Sequence, residues 1–406
     1  MLQPDYFTDK ADRMVGLYRQ LEDWILKDIA RRIMKSGQLP ATADRLIWKL
    51  EQMGEHKITI LKKLSKLTGM AEEELRKLLQ SAVMTSWEDD AATWDQLNVT
   101  LSDPLKNPVV IEVMNAEYRK SLGELRNLTN TALADSQRAL ARMLDAAEMR
   151  VASGVQSYDA AIAEILDKYA AGGAFVTYPS GRVMSLEAAV RMIVVTSMNQ
   201  TAAQVSNQYV READTNYVLV SAHYGARIRK KGQPYLAGHD LWQGMTYSIR
   251  GSEPGYPNLL EKTGYDIDPE TGQGRVVNPL GLHGYNCRHS HKPWDKRLRN
   301  PWRDADGNLI DGNGNRITSE KNRKIYELQQ KQRAMERGIR QTKRRLIAKN
   351  AEVEGTTDKE TKEALQEEYS ALYDRLVSQN KAYNDFCESN NLKPDYARTK
   401  TPGWEK

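Results

Sequence analysis

Cysteine is almost missing from this chain: Cys287 and Cys387 are its only two in 406 residues. Their surroundings are unrelated, so no disulfide framework is expected, and a reducing compartment is the natural setting. Long apolar runs are missing too. No stretch reaches the roughly 18 consecutive apolar residues of a membrane-spanning helix. The opening residues, MLQPDYFTDKADRMVGLYRQ, lack the basic-then-apolar order of a secretory signal. Nor is there a strong excess of one charge. A formal net charge of +5 is mild for this length, whereas a dedicated nucleic-acid binder usually carries a concentrated basic patch. A membrane-spanning helix and a disulfide framework are therefore not expected, and the length suggests roughly two or three domains.

Helical periodicity fills the first part of the chain. Met14, Leu17, Tyr18, Leu21, Trp24, Ile25 and Ile29 recur at spacings of three and four, the mark of one apolar helix face. Shorter stretches follow, marked by Leu46, Ile47, Leu50 and Met53, by Ile60, Leu61, Leu64 and Leu67, and by Leu75, Leu78, Leu79 and Ala82. Pro104 and Pro108 punctuate the chain before another long helical stretch, about Val110 to Val151. These apolar stripes are read as helix packing rather than as a ligand groove.

The pattern then changes. Phe175 to Tyr178 reads as a strand, Pro179-Ser180-Gly181 as a turn, and Arg182 to Met184 as the returning strand of a hairpin. Ser185 suits the N-cap of the long helix that follows, with Glu187 in its first turn. Tyr217 to Val220 reads as a buried strand leading into Ser221, Ala222 and His223. From Gly225 to Asn300 the chain is rich in Gly, Pro, Asn and Tyr and has little periodicity. A segment of this kind needs pinning, by aromatic anchors such as Trp242, Tyr247, Tyr256 and Trp294 or by a bound metal. RDADGNLIDGNGNRIT, Arg303 to Thr318, has the composition of a calcium loop but not its register, since Arg316 and Asn322 fall where an EF-hand needs Gly and Glu. Tight turns in a hairpin or linker are expected there.

The last part repeats apolar residues at heptad-like spacing, at Ile325, Leu328, Met335, Ile339 and Leu346, then at Leu365, Tyr369, Leu372, Leu376, Tyr383 and Phe386. Two such segments around a short polar turn predict an antiparallel helical hairpin or coiled coil. The first is basic (Arg333, Arg337, Arg340, Lys343, Arg344, Arg345) and the second largely acidic (Glu360, Glu363, Glu367, Glu368). Pairing of the two arms with each other accounts for this pattern more simply than DNA binding by the basic one.

Histidine carries the chemistry. In GLHGYNCRHSHKPW, residues 281–294, three of the six histidines stand with one cysteine. If NCRHSH is extended, Cys287, His289 and His291 share one face. Such residues at i and i+2 ligate one ion when a second segment completes the tetrahedron, and His223, His239 and His283 are available. The alternative is that the imidazoles bond to loop backbone and Cys287 is simply a small buried side chain. A nucleophilic pair of Cys287 with His239 or His223, oriented by Asp240, is conceivable, yet no nucleophile turn surrounds Cys287. A histidine-rich ββα nuclease would need a helix after His291, and KPWDKRLRNPW does not read as one. No residue is assigned a catalytic role, and the protein is expected not to be an enzyme.

YPSGRVMSLEAAVRMIVVTSMNQTAA, SAHYGAR, HDLWQGMTYSI, YPNLLEKTGY and GLHGYNCRHSHKPW, in that order, resemble the minor capsid proteins of tailed phages of Gram-positive bacteria. That family is similar in turn to the Mu-type head morphogenesis proteins, whose pattern is a helix with Thr and Asn, a strand, paired cysteines before a W/L-x-G segment, and a closing HPNCRC. Thr196 and Asn199 match the helix, His239 precedes Trp242-Gln243-Gly244 near the cysteine pair, and Asn286-Cys287-Arg288-His289 stands for the closing motif. Histidine where relatives carry cysteine keeps a ligand donor. The resemblance therefore implies zinc on His223, His239, Cys287 and His289. It also implies a structural head protein of the virion that aids head assembly or DNA packaging and delivery. Its partners would be the portal protein, other head proteins and packaged DNA, met in the host cytoplasm during assembly. A zinc-containing nucleic-acid-binding protein is the alternative.

The fold expected is mainly α with a small α+β domain. Residues 1–171 form a helical N-terminal region for portal or capsid contact, and 172–302 a loop-rich α+β head-morphogenesis domain. A turn-rich linker follows at 303–318, then a helical hairpin at 319–392 and a tail at 393–406.

Overall fold

A computed structural model describes residues 1–36, 43–152, 158–173, 175–178, 181–356 and 358–404. In chain order its elements are α1 (Pro4–Ser36), α2 (Ala43–Asp95), α3 (Pro108–Ala152), α4 (Tyr158–Gly172), β1 (Phe175–Thr177), β2 (Val183–Ser185), α5 (Leu186–Glu212), β3 (Tyr217–Val220), β4 (Thr246–Ser248), α6 (Leu259–Thr263), β5 (Tyr265–Ile267), β6 (Gly274–Val276), β7 (His291–Trp294), α7 (Ser319–Gly355), α8 (Lys359–Ser389) and α9 (Tyr396–Thr399). The chain is mainly α with a small α+β part, as expected. The β1–β2 hairpin forms antiparallel, pairing Val176 with Met184, while its Pro179-Ser180 turn lies outside the described residues. The three short helical stretches expected between Leu46 and Ala82 are instead one continuous helix, α2. Nothing in that span stops it, since Gly54 and Gly69 cost only about 1 kcal/mol each in a helix interior and no proline intervenes. No helix among the described residues is long and apolar enough to cross a membrane.

The chain folds into two compact units, each assembled from separated segments. The first contains Met1–Ala11, Glu72–Glu124 and Arg191–Gln330. Its centre is a three-stranded antiparallel sheet of order β4-β3-β7, in which Val218 faces Tyr247 on one side and Pro293 on the other. Pro293 is tolerated because β7 is an edge strand. Helix α5 lies buried almost all round: Val194, Met198, Ala202, Val205, Tyr209 and Val210 are all in the core. The segment read as loops is pinned largely by aromatics. Trp242, Tyr247 and Tyr265 pack with Val218, Val220, Leu282 and Cys287 in one cluster. Burying such side chains contributes on the order of 3 kcal/mol each. Trp294 packs in another cluster with Leu219 and Trp302, and Tyr256 tilts against Tyr217 at 5.1 Å. The calcium-like stretch is two successive turns of one design: Asp304 Oδ1 accepts from the amides of Asp306 and Asn308, and Asp311 Oδ1 from those of Asn313 and Asn315.

The second unit contains Asp12–Ala71, Leu125–Val190 and Lys331–Lys406. On α1, Met14, Tyr18, Leu21, Ile25 and Ile29 are buried, as their spacing predicted. Ser185 caps α5, its Oγ accepting from the Ala188 amide at 3.3 Å. Helices α7 and α8 run antiparallel: Gln332 bonds to Tyr383 and Lys349 pairs with Glu368, with Ile339, Leu346, Leu376 and Tyr383 between them. The expected pairing of basic α7 with acidic α8 is largely absent. Arg340 joins Arg19 on the buried carboxylate of Glu187, both at 2.7 Å, and Arg345 grips Asp167 through two hydrogen bonds. Arg344 donates to the carbonyl of Ala170 in the last turn of α4, and Lys343 to that of Thr399. Heptad spacing locates the arms but not the direction of their outer residues. Arg340, Lys343, Arg344 and Arg345 face carboxylates and carbonyls from other parts of their own unit, whereas Arg337 on the same arm is exposed.

Candidate metal centre

Helix α5 is so deeply buried that its polar residues must find partners inside the protein. They find the strap from Pro279 to His291. Asn199 Nδ2 donates to the carbonyls of Cys287 at 2.7 Å and His289 at 3.0 Å. Gln200 donates to the carbonyl of His283 at 2.9 Å, and Thr196 Oγ1 accepts from the Asn286 amide at 3.3 Å. The strap makes two left-handed turns, at His283 (φ 58°) and Asn286 (φ 55°), conformations costly for non-glycine residues and maintained by these bonds. At Gly281 a side chain has no room, because a Cβ would overlap the carbonyl oxygen of Thr263. Gly281→Ala is expected to lower stability by about 2–3 kcal/mol, read as a shift of the urea midpoint.

Two histidine groups result. In the first, hydrogen positions follow from Asn199. Its amide nitrogen faces two carbonyls, so its Oδ1 must accept from His283 Nδ1. Then His283 Nε2 is an acceptor and His291 Nδ1 donates to it at 2.7 Å. His291 Nε2 must accept in turn, which orients Asn207 with its nitrogen toward His291 at 2.9 Å and its oxygen toward the Tyr265 hydroxyl at 2.9 Å. Every step is satisfied with both rings neutral. Burial supports this, pushing His291 down to about 3 and His283 well below the usual range, the latter also through neighbouring His291.

The second group is His239, Cys287 and His289, whose ligand atoms lie within 4.8 Å of one another, all buried. His239 Nδ1 stands 3.3 Å from His289 Nδ1 and 3.9 Å from Cys287 Sγ. Here the tautomers do not settle by themselves. His239 Nε2 must donate to the carbonyl of Leu280 at 2.8 Å. His289 Nε2 must donate to Gln243 Oε1 at 3.2 Å, an oxygen identified by the His223 amide that also donates to it at 2.9 Å. Both Nδ1 lone pairs therefore point into the same small space beside the sulfur. A proton between them would make one ring cationic. Burial opposes that, driving His239 down to about 3 and His289 well below the ordinary value. Burial also pushes the Cys287 thiol up, the opposite of an activated nucleophile. Nearby Arg227 acts against this and favours the thiolate.

A zinc ion fits the donor set. Bonds of about 2.05 Å to nitrogen and about 2.3 Å to sulfur separate tetrahedral ligands by about 3.3 Å and 3.6 Å, close to the 3.3 Å and 3.9 Å about His239 Nδ1, with His289 and Cys287 within 4.8 Å of each other. Each imidazole already has the outer partner typical of a metal-bound histidine, a carbonyl or amide oxygen holding its other N–H. The fourth expected ligand, His223, is not in this group. It stacks on His289 at 4.2 Å, with Nδ1 bonded to the Tyr224 carbonyl at 2.8 Å and its buried Nε2 without a partner. His291 leaves the face it was expected to share with Cys287 and His289, because β7 begins there and directs it to His283.

Compared with known families, the chain matches phage minor capsid protein 2 over residues 2–377. It belongs to that family. No curated protein and no solved structure matches it. Membership gives this minor capsid protein a structural role in the phage capsid and makes other phage head proteins its partners. Asn207, Gln243 and Tyr265, which orient the two histidine groups, were not expected from the sequence. A signal for Asn207 was present: Thr196, Asn199, Gln200, Gln204 and Asn207 form a polar stripe at helical spacing on an otherwise apolar helix.

Proposed function

We propose that this minor capsid protein is a structural part of the phage head, assembled with the portal and neighbouring head proteins in the host cytoplasm, and that zinc clasps its α+β unit. The observation that carries the clasp is the convergence of two imidazole lone pairs beside one sulfur, of which the single thiol proton of Cys287 can satisfy only one. Zinc would bind His239 Nδ1, Cys287 Sγ and His289 Nδ1. His223 supplies the fourth position if its ring turns to bring Nε2 inward. The ion would tie the turn at His239 to the strap and so stabilise a loop-rich unit with a short sheet; this role is structural. Contact with packaged DNA is the weaker reading, because Arg340, Lys343, Arg344 and Arg345 of α7 already have partners within the protein.

Elemental analysis of the purified protein tests the clasp. About one zinc per chain is expected, with loss of the metal and a lower Tm on replacing Cys287 or His289 by Ala. A metal-free protein of unchanged stability contradicts it. For the wider role, the protein should remain with head particles and co-purify with the portal. Tight duplex-DNA binding with a steep salt dependence would favour the nucleic-acid alternative instead.

A further inference from the structure

Two exposed helix faces of the second unit complement each other in charge, although Lys63 lies over the Trp24 ring and Tyr373 tilts against Trp404 at 6.2 Å. On α2, Ile58 and Met70 are 56% and 48% exposed, a high cost in apolar surface on one short segment. Lys62, Lys63 and Lys66 share their side of the helix, and none is ion-paired among the described residues. Beside this face lies a groove of about 190 Å³ between α1 and α2, floored by Leu17, Leu21, Trp24 and Leu67 and rimmed by Lys63 and Lys66. On α8 the situation is reversed in charge. Glu360, Glu363, Glu367 and Asp374 are exposed, and Tyr373 and Val377 stand 47% and 53% exposed among them. Glu363, Glu367, Asp374 and Val377 follow helical spacing and so form one stripe. Among the described residues its one ion pair, Lys359 with Glu363 at 3.8 Å, joins two solvated side chains and contributes little.

We propose that these faces meet between two copies of this chain, the acidic outer face of α8 from one copy lying on the basic, apolar face of α2 in the next. Three lysines face four carboxylates, and each side contributes exposed apolar residues that charge pairing alone would not need. The lengths are comparable, since Ile58 to Met70 spans about 18 Å of helix and Glu360 to Val377 about 26 Å. The contact is the helix-in-groove mode of recognition, with Tyr373 and Val377 as anchors and the groove beside Trp24 as receptor. Because the two faces differ, the contact is head-to-tail, and successive copies build a ring or a row. This inference is independent of the metal clasp.

Sedimentation of the full-length protein tests it. Self-association is expected between about 1 µM and about 100 µM, weaker at about 500 mM than at about 50 mM salt. Lys62→Glu/Lys66→Glu should weaken association at least tenfold, and Glu363→Lys/Glu367→Lys should do the same. Mixing these two variants should restore it, because one molecule's α2 and the other's α8 then recreate the native pair. That mixing arm separates a lost contact from a misfolded variant. A wild-type chain that stays monomeric throughout this range overturns the proposal, as does capture of a different acidic protein by monomers. Association indifferent to both charge reversals overturns it equally.

Discussion

Asn199→Asp, an isosteric change of one buried atom, is expected to destabilise the protein by about 3–5 kcal/mol. The native amide nitrogen donates to the carbonyls of Cys287 and His289 while its oxygen accepts from His283. An aspartate carboxylate places an acceptor against two acceptors and a charge in a site without solvent. Protonating it restores one of the two lost donations and no more. Asn199→Ala leaves two carbonyls and one imidazole N–H unpartnered and should cost a similar amount. Denaturant titration reads both, as midpoints shifted down with the slope maintained. A neutral Asn199→Asp substitution would mean that the strap is held by something other than this amide.

The second large effect is acid lability of the first unit in its metal-free form. Burial sets His223 at about 4 and His239 and His291 at about 3, each below the ordinary 6.5. As pH falls below 6.5 the unfolded chain takes up protons that the folded unit refuses. The stabilisation from these rings is therefore complete above pH 6.5 and is lost as pH approaches 3–4. At pH 5 each ring accounts for about 2 kcal/mol. Asp90, in the same unit, acts oppositely. Burial raises its carboxyl to about 7, so the folded unit holds a proton there that the unfolded chain releases, and this offsets roughly one histidine. Buried His283 and His289, also held well below the ordinary value, act in the same direction as His223, His239 and His291, so a net loss of at least about 4 kcal/mol between pH 7.5 and 5 is expected. Hydrogen exchange of the β3 and β7 amides, corrected for the intrinsic rate, should show it; unchanged protection at pH 5 would contradict the neutral-histidine assignment.

Helices and the core strand were legible in the sequence because their periodicity is local. Met14 to Ile29, Pro108 to Ala152 and Tyr217 to Val220 needed no tertiary information. Helix α2 was divided too finely because glycine weakens a helix without ending it. The short strands β4 to β7 escaped because three or four residues carry too little alternation to register, and β7 contains a proline. At the site, the nearness of Cys287 to His289 was legible, whereas Thr196 and Asn199 were marked only through the resemblance and their hydrogen bonds to the strap were not foreseen. The division of the histidines into a hydrogen-bonded ladder and a metal-ready cluster was not legible. It depends on which ring nitrogen faces a carbonyl, and that is decided by Leu280 and Gln243, residues that no spacing rule connects to His239 and His289. The reach of Arg340 and Arg345 to Glu187 and Asp167 was hidden for the same reason: charge sign is legible in sequence, but direction is not.

X-ray absorption at the zinc edge of the purified protein tests the clasp most directly. One sulfur at about 2.3 Å with imidazole nitrogens at about 2.0 Å is predicted, the sulfur shell vanishing in Cys287→Ala. Absence of zinc, or an ion surrounded only by oxygen and nitrogen in the native protein, would contradict a centre built on His239, Cys287 and His289.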